Sequence, residues 1–256
     1  YYYKLSNRKK LLFINNLIDN LILKYSDFVL FCSNSEKKFA LKNYSVNSNN
    51  RIILNRTQNN KKNDDRHIKI NKKNYLIYCL ATSNIYQKGI DQQLELVKDL
   101  KRFTKNFKLI HYFNFQNNAE LEIIKEKIEK LNLSDNYFLR NAIPSIWEEI
   151  YEKQGILIST SRFEGMPMVI LEAFHNFIPV VATNCYGQED LLKEKRALIL
   201  KKNERKMWAE NLFNFMIDEE KKIEKSKHAK EWVISLGTIE NYSLEIINCY
   251  KFLLGK

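Results

Sequence analysis

At 256 residues the chain is long enough for one large domain or one and a half smaller ones, with a substantial core in either case. Lys and Arg number 42 against 30 Asp and Glu, a net charge of +12. No recognition motif accompanies that excess, which argues against nucleic acid and leaves solvated lysines or an acidic partner: ligand phosphates, or an anionic membrane surface touched peripherally. Cys32, Cys79, Cys185 and Cys249 are far apart, lack the paired spacing of zinc or redox sites, and read as reduced core residues of a cytosolic protein. No apolar run approaches the ~18 residues of a membrane span. The chain opens on Tyr1 without an initiator methionine, so a missing N-terminal part is expected.

In chain order, residues 1–24 have mixed three and four apolar spacing beside a basic opening and predict a helix. A membrane-surface face would fit such a helix, but a core-facing one is the commoner case. Asp27–Ser33 predicts a short apolar strand, central in its sheet. Asn34 and Ser35 cap a helix reaching Asn43, and Arg51–Leu54 forms another strand. Residues 56–74 turn abruptly to Asn, Lys, Asp and Gln, which marks a linker. Beyond it strands and helices alternate: strand 75–81, helix 89–104, strand 107–113, helix 117–131, strand 137–139, helix 144–152, strand 156–160, a helix opening at Pro167, strand 180–182, helix 189–195, strand 197–200 and further helices, the last over 239–254. This alternation predicts an α/β fold, a parallel sheet with helices on both faces.

The chemistry concentrates on Gly155–Thr183, a βαβ unit. Glu164 lies in the loop past a strand's carboxyl end, where open α/β sheets bind ligands. Glu172 shares a helical face with Met168, about 6 Å along the axis, and leans toward the turn. Between them the backbone N–H groups of Met168, Val169 and Ile170 form an anion site. A phosphate flanked by two hydroxyl-binding carboxylates suits a sugar nucleotide. The competing account makes Glu164 a cap for the helix and Glu172 an exposed polar residue. Glu172, however, sits in a helix apolar nearly all round and must find partners there. His175 reads as a helix-surface histidine. Two further loops are expected on the same edge. One places Lys88 beside the helix that Gly89 opens, well placed for a diphosphate. The other carries Arg140 and Asn141, within reach of a base or phosphate.

Residues 161–174, Ser-Arg-Phe-Glu-Gly-Met-Pro-Met-Val-Ile-Leu-Glu-Ala-Phe, followed by Ile-Pro-Val-Val-Ala-Thr183, closely resemble the signature of retaining glycosyltransferases of the GT-B fold, family 4 or group 1. Lys88-Gly89 is similar to that family's diphosphate-binding pair, and residues 26–35 and 51–55 resemble the end of its N-terminal domain. The resemblance implies a Rossmann-like donor-binding domain over 75–238, a remnant of the acceptor domain over 1–55, the linker 56–74, and a C-terminal helix over 239–256 crossing back to the N-terminal domain. By resemblance Glu172 holds the ribose hydroxyls and Glu164 those of the donor sugar. Gly165 and the N–H groups of Met166, Met168 and Val169 take the sugar and distal phosphate, and Lys88, with Gly89, takes the diphosphate. It implies a nucleoside-diphosphate sugar as donor substrate, a saccharide or lipid-linked acceptor, a hexosyltransferase role in surface polysaccharide or glycolipid synthesis at the inner face of the membrane, and neither metal nor other cofactor. A non-catalytic nucleotide-sugar-binding module and a sugar-nucleotide epimerase are alternative readings. The chain departs from the family at Ser83, where an arginine is usual, at Arg140-Asn141, where a glycine is usual, and at Arg196-Ala197 in place of a glycine-rich segment.

Overall fold

Strands apolar along their whole length hold together only when both faces are covered. The computed structural model describes residues 5–57, 75–81, 84–113, 118–193 and 195–255, and it covers them in that way. The chain runs α1 (Leu5–Tyr25), β1 (Val29–Phe31), α2 (Asn34–Asn43) and β2 (Asn50–Ile52), then β3 (Tyr75–Leu80), α3 (Ile85–Lys88), α4 (Ile90–Leu100), β4 (Phe107–Phe113), α5 (Asn118–Lys130), β5 (Tyr137–Asn141) and α6 (Ile146–Glu152). It continues through β6 (Ile156–Ser159), α7 (Met168–His175), β7 (Val180–Thr183), β8 (Leu198–Leu200), α8 (Trp208–Ile217), α9 (Glu219–Ser235) and α10 (Ile239–Leu253). Strands β3 to β8 form a six-stranded sheet in the order β5-β4-β3-β6-β7-β8, every pair parallel. This is the predicted Rossmann-like α/β architecture.

Strand alternation sorts the core into two layers. Ile77, Cys79, Ile156 and Ile158 face a cluster built with Leu94 and Val97 of α4, Ile124 of α5, and Leu212 and Phe215 of α8. Tyr78 and Leu157 face the opposite cluster, with Ile150 of α6, Ile170 and Phe174 of α7, and Ala229 of α9. All four cysteines are free, with Cys79, Cys185 and Cys249 buried.

β1 and β2 form a separate two-stranded parallel sheet, so β1 is not central among the described residues, and Leu30 is left exposed. The cap of α2 is Ser33 rather than Asn34 or Ser35, its side chain accepting from the Glu36 N–H at 3.1 Å. The α1 face carrying Leu17, Ile18, Leu21 and Ile22 is exposed, contrary to the core-facing expectation. None of the described helices is long and apolar enough to cross a membrane.

Residues 58–74, most of the expected linker, lie outside the described residues. The helix expected over 189–195 is absent from its described residues, which form turns and a bend. Lys195 has φ of 66°, outside the helical region, and the side chain of Arg196 donates to the Lys193 and Asp190 carbonyls at 2.7 and 2.9 Å. The final helix touches the N-terminal segment at two places: Arg56 pairs with Glu245 of α10 at 2.7 Å, and the rings of Phe28 and Phe252 meet edge to face.

Candidate functional site

The strand order fixes where a ligand can enter. From β3 the chain steps outward to β4 and β5, then returns to lay β6 on the other side of β3. The loops leaving β3 and β6 therefore diverge over the two faces of the sheet and open a crevice at its carboxyl edge. Lys88 lies in the first loop and Glu164 in the second.

The β3 loop is more structured than the sequence suggested. Lys88 closes the short helix α3, and Gly89, at φ of 63°, turns the chain into α4. Only glycine fits there, because a Cβ would run into the Thr160 carbonyl oxygen and the Gln92 side chain. The two loops are thereby locked together. Thr160 Oγ1 donates to the Gly89 carbonyl at 3.0 Å, and Gln92 Nε2 donates to the Thr160 carbonyl at 2.7 Å. Arg162 grips Asp91 through both guanidinium nitrogens, at 2.7 and 2.6 Å. Burial alone would push the Asp91 carboxyl up, but the bonds and charge of Arg162 hold it below the usual value.

In that frame Lys88 Nζ reaches Glu164 Oε1 at 2.8 Å, and Ser161 Oγ donates to the same oxygen at 2.7 Å. The Glu164 side chain is 9% exposed and that of Lys88 26%. Glu164 is therefore not the cap of α7: Pro167 stands at that position with no side-chain cap bond. The backbone around Glu164 is held from behind. Its N–H donates to the Tyr186 carbonyl at 2.9 Å, and Gly187 packs so closely on the Glu164 and Gly165 carbonyls that a Cβ there would clash with both.

Helix α7 starts immediately beyond. The N–H groups of Met168 and Val169 have no acceptor within the helix. Ile170, expected to share the anion site, is engaged: its N–H donates to the Pro167 carbonyl at 3.2 Å. Glu172 shares the Met168 face and lines a cavity of about 300 Å³ together with Arg56, Thr57, Trp147 and His175. Partial burial raises the Glu172 carboxyl above the usual glutamate value, opposed by a hydrogen bond from the Trp147 side chain. His175 is buried at 6% exposure, not on the surface, since α7 is covered on nearly every side.

Of the predicted residues, Lys88, Gly89, Glu164, Gly165, Met166, Met168, Val169 and Glu172 lie on the two diverging loops and the start of α7. Ser83 lies outside the described residues. Arg140 and Asn141 are not loop residues but the last two of β5, on the sheet's outer edge. Arg140 turns toward α6, 3.5 Å from Glu149. Partial burial would raise Glu149, but hydrogen bonds from Lys153 and Tyr112 hold it below its usual value. Sequence reasoning missed Trp147 and the Arg162–Asp91 clamp. An indole N–H on a core helix needs a partner and was a readable signal. The clamp joins residues of different βα units and leaves no local trace.

Residues 60–232 match the family model described as "Glycosyl transferases group 1". The amylovoran biosynthesis glycosyltransferase AmsD of Erwinia amylovora is 31% identical over 110 residues, covering 43% of this chain and 30% of that protein. Among solved structures, the sucrose-phosphate synthase from Thermosynechococcus elongatus is similar with a TM-score of 0.80 at 18% identity, over 94% of this chain and 62% of its own. Anabaena HepE, in complex with UDP-glucose, is similar with a TM-score of 0.74 at 15% identity, over 93% of this chain and 67% of its own. At such identities the structural likeness establishes the fold. The chain spans less than a third of the length of AmsD. With more than half of its residues inside the family model, and with the sheet and loops that carry the paired acids in place, the chain belongs to the glycosyl transferases group 1 family and has the GT-B type of fold.

Proposed function

We propose that the site binds a nucleoside-diphosphate sugar, and that the whole protein is a retaining glycosyltransferase delivering the sugar to a saccharide or lipid-linked acceptor in surface polysaccharide or glycolipid synthesis. The observation that carries the reading is the 2.8 Å Lys88–Glu164 pair at the switch point, beside the open end of α7, with Glu172 one turn further on. The name of AmsD supports polysaccharide synthesis, and the UDP-glucose held by HepE supports the donor class.

The division of labour follows from charge. Lys88 and the N–H groups of Met168 and Val169 are the donors suited to a diphosphate. Glu164 accepts hydroxyls of the sugar, and Glu172 accepts those of the ribose, whose O–H groups stabilise a carboxylate that burial disfavours. In transfer, the bond from the anomeric carbon to the β-phosphate oxygen breaks and the acceptor oxygen bonds that carbon on the same face. The acceptor's proton passes to the departing phosphate. Preorganised positive charge against that phosphate is the main catalytic contribution of this chain.

Calorimetry with nucleoside diphosphates and their sugar esters tests the reading. Glu172→Gln weakens both ligands. Glu164→Gln weakens the intact sugar nucleotide but spares the free diphosphate, because it releases Lys88 from its pair. Equal losses on both ligands in both variants overturn the assignment.

A further inference from the structure

The Glu164 loop borders a second cavity, of about 390 Å³, that the donor reading leaves unused. Its floor is Trp208, the first residue of α8, 2% exposed and fixed by its Nε1–H on the Lys201 carbonyl at 2.7 Å. Trp208 belongs to the core layer opposite to that of α7, and this cavity shares no lining residue with the one beside Glu172. Two rings that remain largely in solvent stand over the floor: Tyr86 of α3, 50% exposed, and Phe163, 46% exposed. The rest of the wall is cationic. Arg162 is committed to Asp91 and to Tyr86, whose carbonyl it holds at 2.7 Å and whose ring centroid lies 4.5 Å from its guanidinium. Lys202 and Arg205 are exposed, and neither has a carboxylate partner among the described residues. Lys202 Nζ donates to the Arg162 carbonyl at 3.2 Å, which draws the ammonium in beside the cavity and leaves its other N–H groups for a ligand. The Arg205 guanidinium lies 5.5 Å from the Trp208 ring centroid. Among the described residues no carboxylate lines the cavity to offset these charges.

Exposed cations alone would be solvated surface charge, and exposed rings alone scattered apolar surface. Here both converge on one recess with a fixed aromatic floor. Flat ring faces pack against the apolar C–H face of a sugar, while ammonium and guanidinium groups take carboxylate or phosphate oxygens. A membrane surface would engage protruding rings rather than a recess. We infer that this cavity is a second saccharide site, which takes a sugar unit bearing a carboxylate or a phosphate. The sugar lies against Phe163 and Tyr86, and its anionic group is held by Lys202 and Arg205. Assigning that sugar to the acceptor or to the growing product rests on the proposed transferase reading. Phe163 is joined directly to Glu164, so an acidic glycan held there is anchored beside the donor crevice.

The test is calorimetry at low ionic strength with hexagalacturonate, glucose-6-phosphate, the neutral maltohexaose and inorganic phosphate. At least one acidic sugar binds the wild-type chain about tenfold or more tightly than maltohexaose or phosphate, and that affinity falls as salt rises. The double variant Lys202→Gln/Arg205→Gln, which alters only exposed side chains, weakens it about tenfold or more. Phe163→Ala weakens it about threefold or more. Binding of neither acidic sugar, equal binding of maltohexaose, or unchanged affinity in the double variant overturns the inference. Equal affinity for inorganic phosphate also overturns it, because the rings then contribute nothing. Wild-type flotation with phosphatidylglycerol vesicles that the double variant loses overturns it too, marking a patch that faces a membrane. Titration with nucleoside-diphosphate sugars keeps the two readings apart. The double variant retains wild-type donor affinity, and a matching loss there overturns the second site by making these residues part of the first. A wild-type chain that binds no such donor refutes the donor reading, whatever the acidic sugars do.

Discussion

Gly89→Ala is the most demanding test of how the crevice is built. Gly89 sits at φ of 63°, a left-handed conformation that costs an L side chain about 1–2 kcal/mol. Its missing Cβ would also overlap the Thr160 carbonyl oxygen, a backbone atom that cannot rotate away. Moving Thr160 strains two hydrogen bonds, the Gln92 Nε2 bond at 2.7 Å and the Thr160 Oγ1 bond at 3.0 Å, each contributing about 1 kcal/mol. The lower entropy of an unfolded chain with Ala offsets about 0.4–1 kcal/mol. The net expectation is a loss of about 3 kcal/mol, read by urea unfolding, together with weaker diphosphate binding as Lys88 is displaced. Gly237→Ala isolates the conformational part. Its φ is 88°, but its Cβ would meet only the Asn241 side chain, at 3.1 Å, so a loss of about 1 kcal/mol is expected there. Equal losses in the two variants refute the claim that loop docking, rather than backbone conformation, requires Gly89.

Arg162→Lys keeps the charge but cannot reproduce the two-pronged grip on Asp91. Because the two side chains are 21% and 33% exposed, a modest loss of about 1 kcal/mol is expected, with a rise in the Asp91 pKa toward the ordinary range that carbon-detected NMR titration can follow. His111, buried between the Tyr137 hydroxyl and the Ala81 carbonyl, is pushed down by burial from 6.5 to about 4. The unfolded chain therefore binds a proton that the folded chain refuses. Stability is full above pH 6.5 and falls by about 1.4 kcal/mol per pH unit toward pH 4. His111→Gln removes most of that slope in urea unfolding between pH 7 and 4.5, and an unchanged slope overturns the assignment. Glu172, raised in the folded state, acts in the opposite direction, so the measurement is best made in Glu172→Gln as well.

The parallel sheet was legible because its strands are continuous apolar runs separated by amphipathic helices, and β4 falls on residues 107–113 in both readings. Glu172 stood out because its helical neighbours Ile170, Leu171, Ala173 and Phe174 are apolar, and all four are buried in α7. What escaped was set by contacts between units. The stretch 189–195 looks helical in isolation, but turns cover 189–191, and the Arg196 side chain reaches back to the Asp190 and Lys193 carbonyls. Residues 140 and 141 look like a loop because they are polar, yet backbone pairing with Tyr112 and Phe113 extends β5 through them. Gly89 was correctly read as the start of a helix, α4, but its docking against Thr160 depends on a strand far along the chain.

Under the proposed donor-binding reading, the arrangement separates two tasks that one carboxylate could not perform together. Glu164 is 9% exposed and already satisfied by Lys88 and Ser161, so its position is set before any ligand arrives. A donor phosphate meeting Lys88 competes with an existing ion pair, and only the difference between the two interactions contributes to affinity. Glu172 is placed differently. Burial disfavours its charge, and Trp147 compensates only in part, so hydroxyl donors there gain the stabilisation that Glu164 has already spent on the protein itself. Under that proposal nucleoside binding would draw its free energy mainly from the α7 pocket. The Lys88–Glu164 pair is better suited to the step in which negative charge grows on the leaving phosphate, when Lys88 is drawn from the carboxylate to the diphosphate.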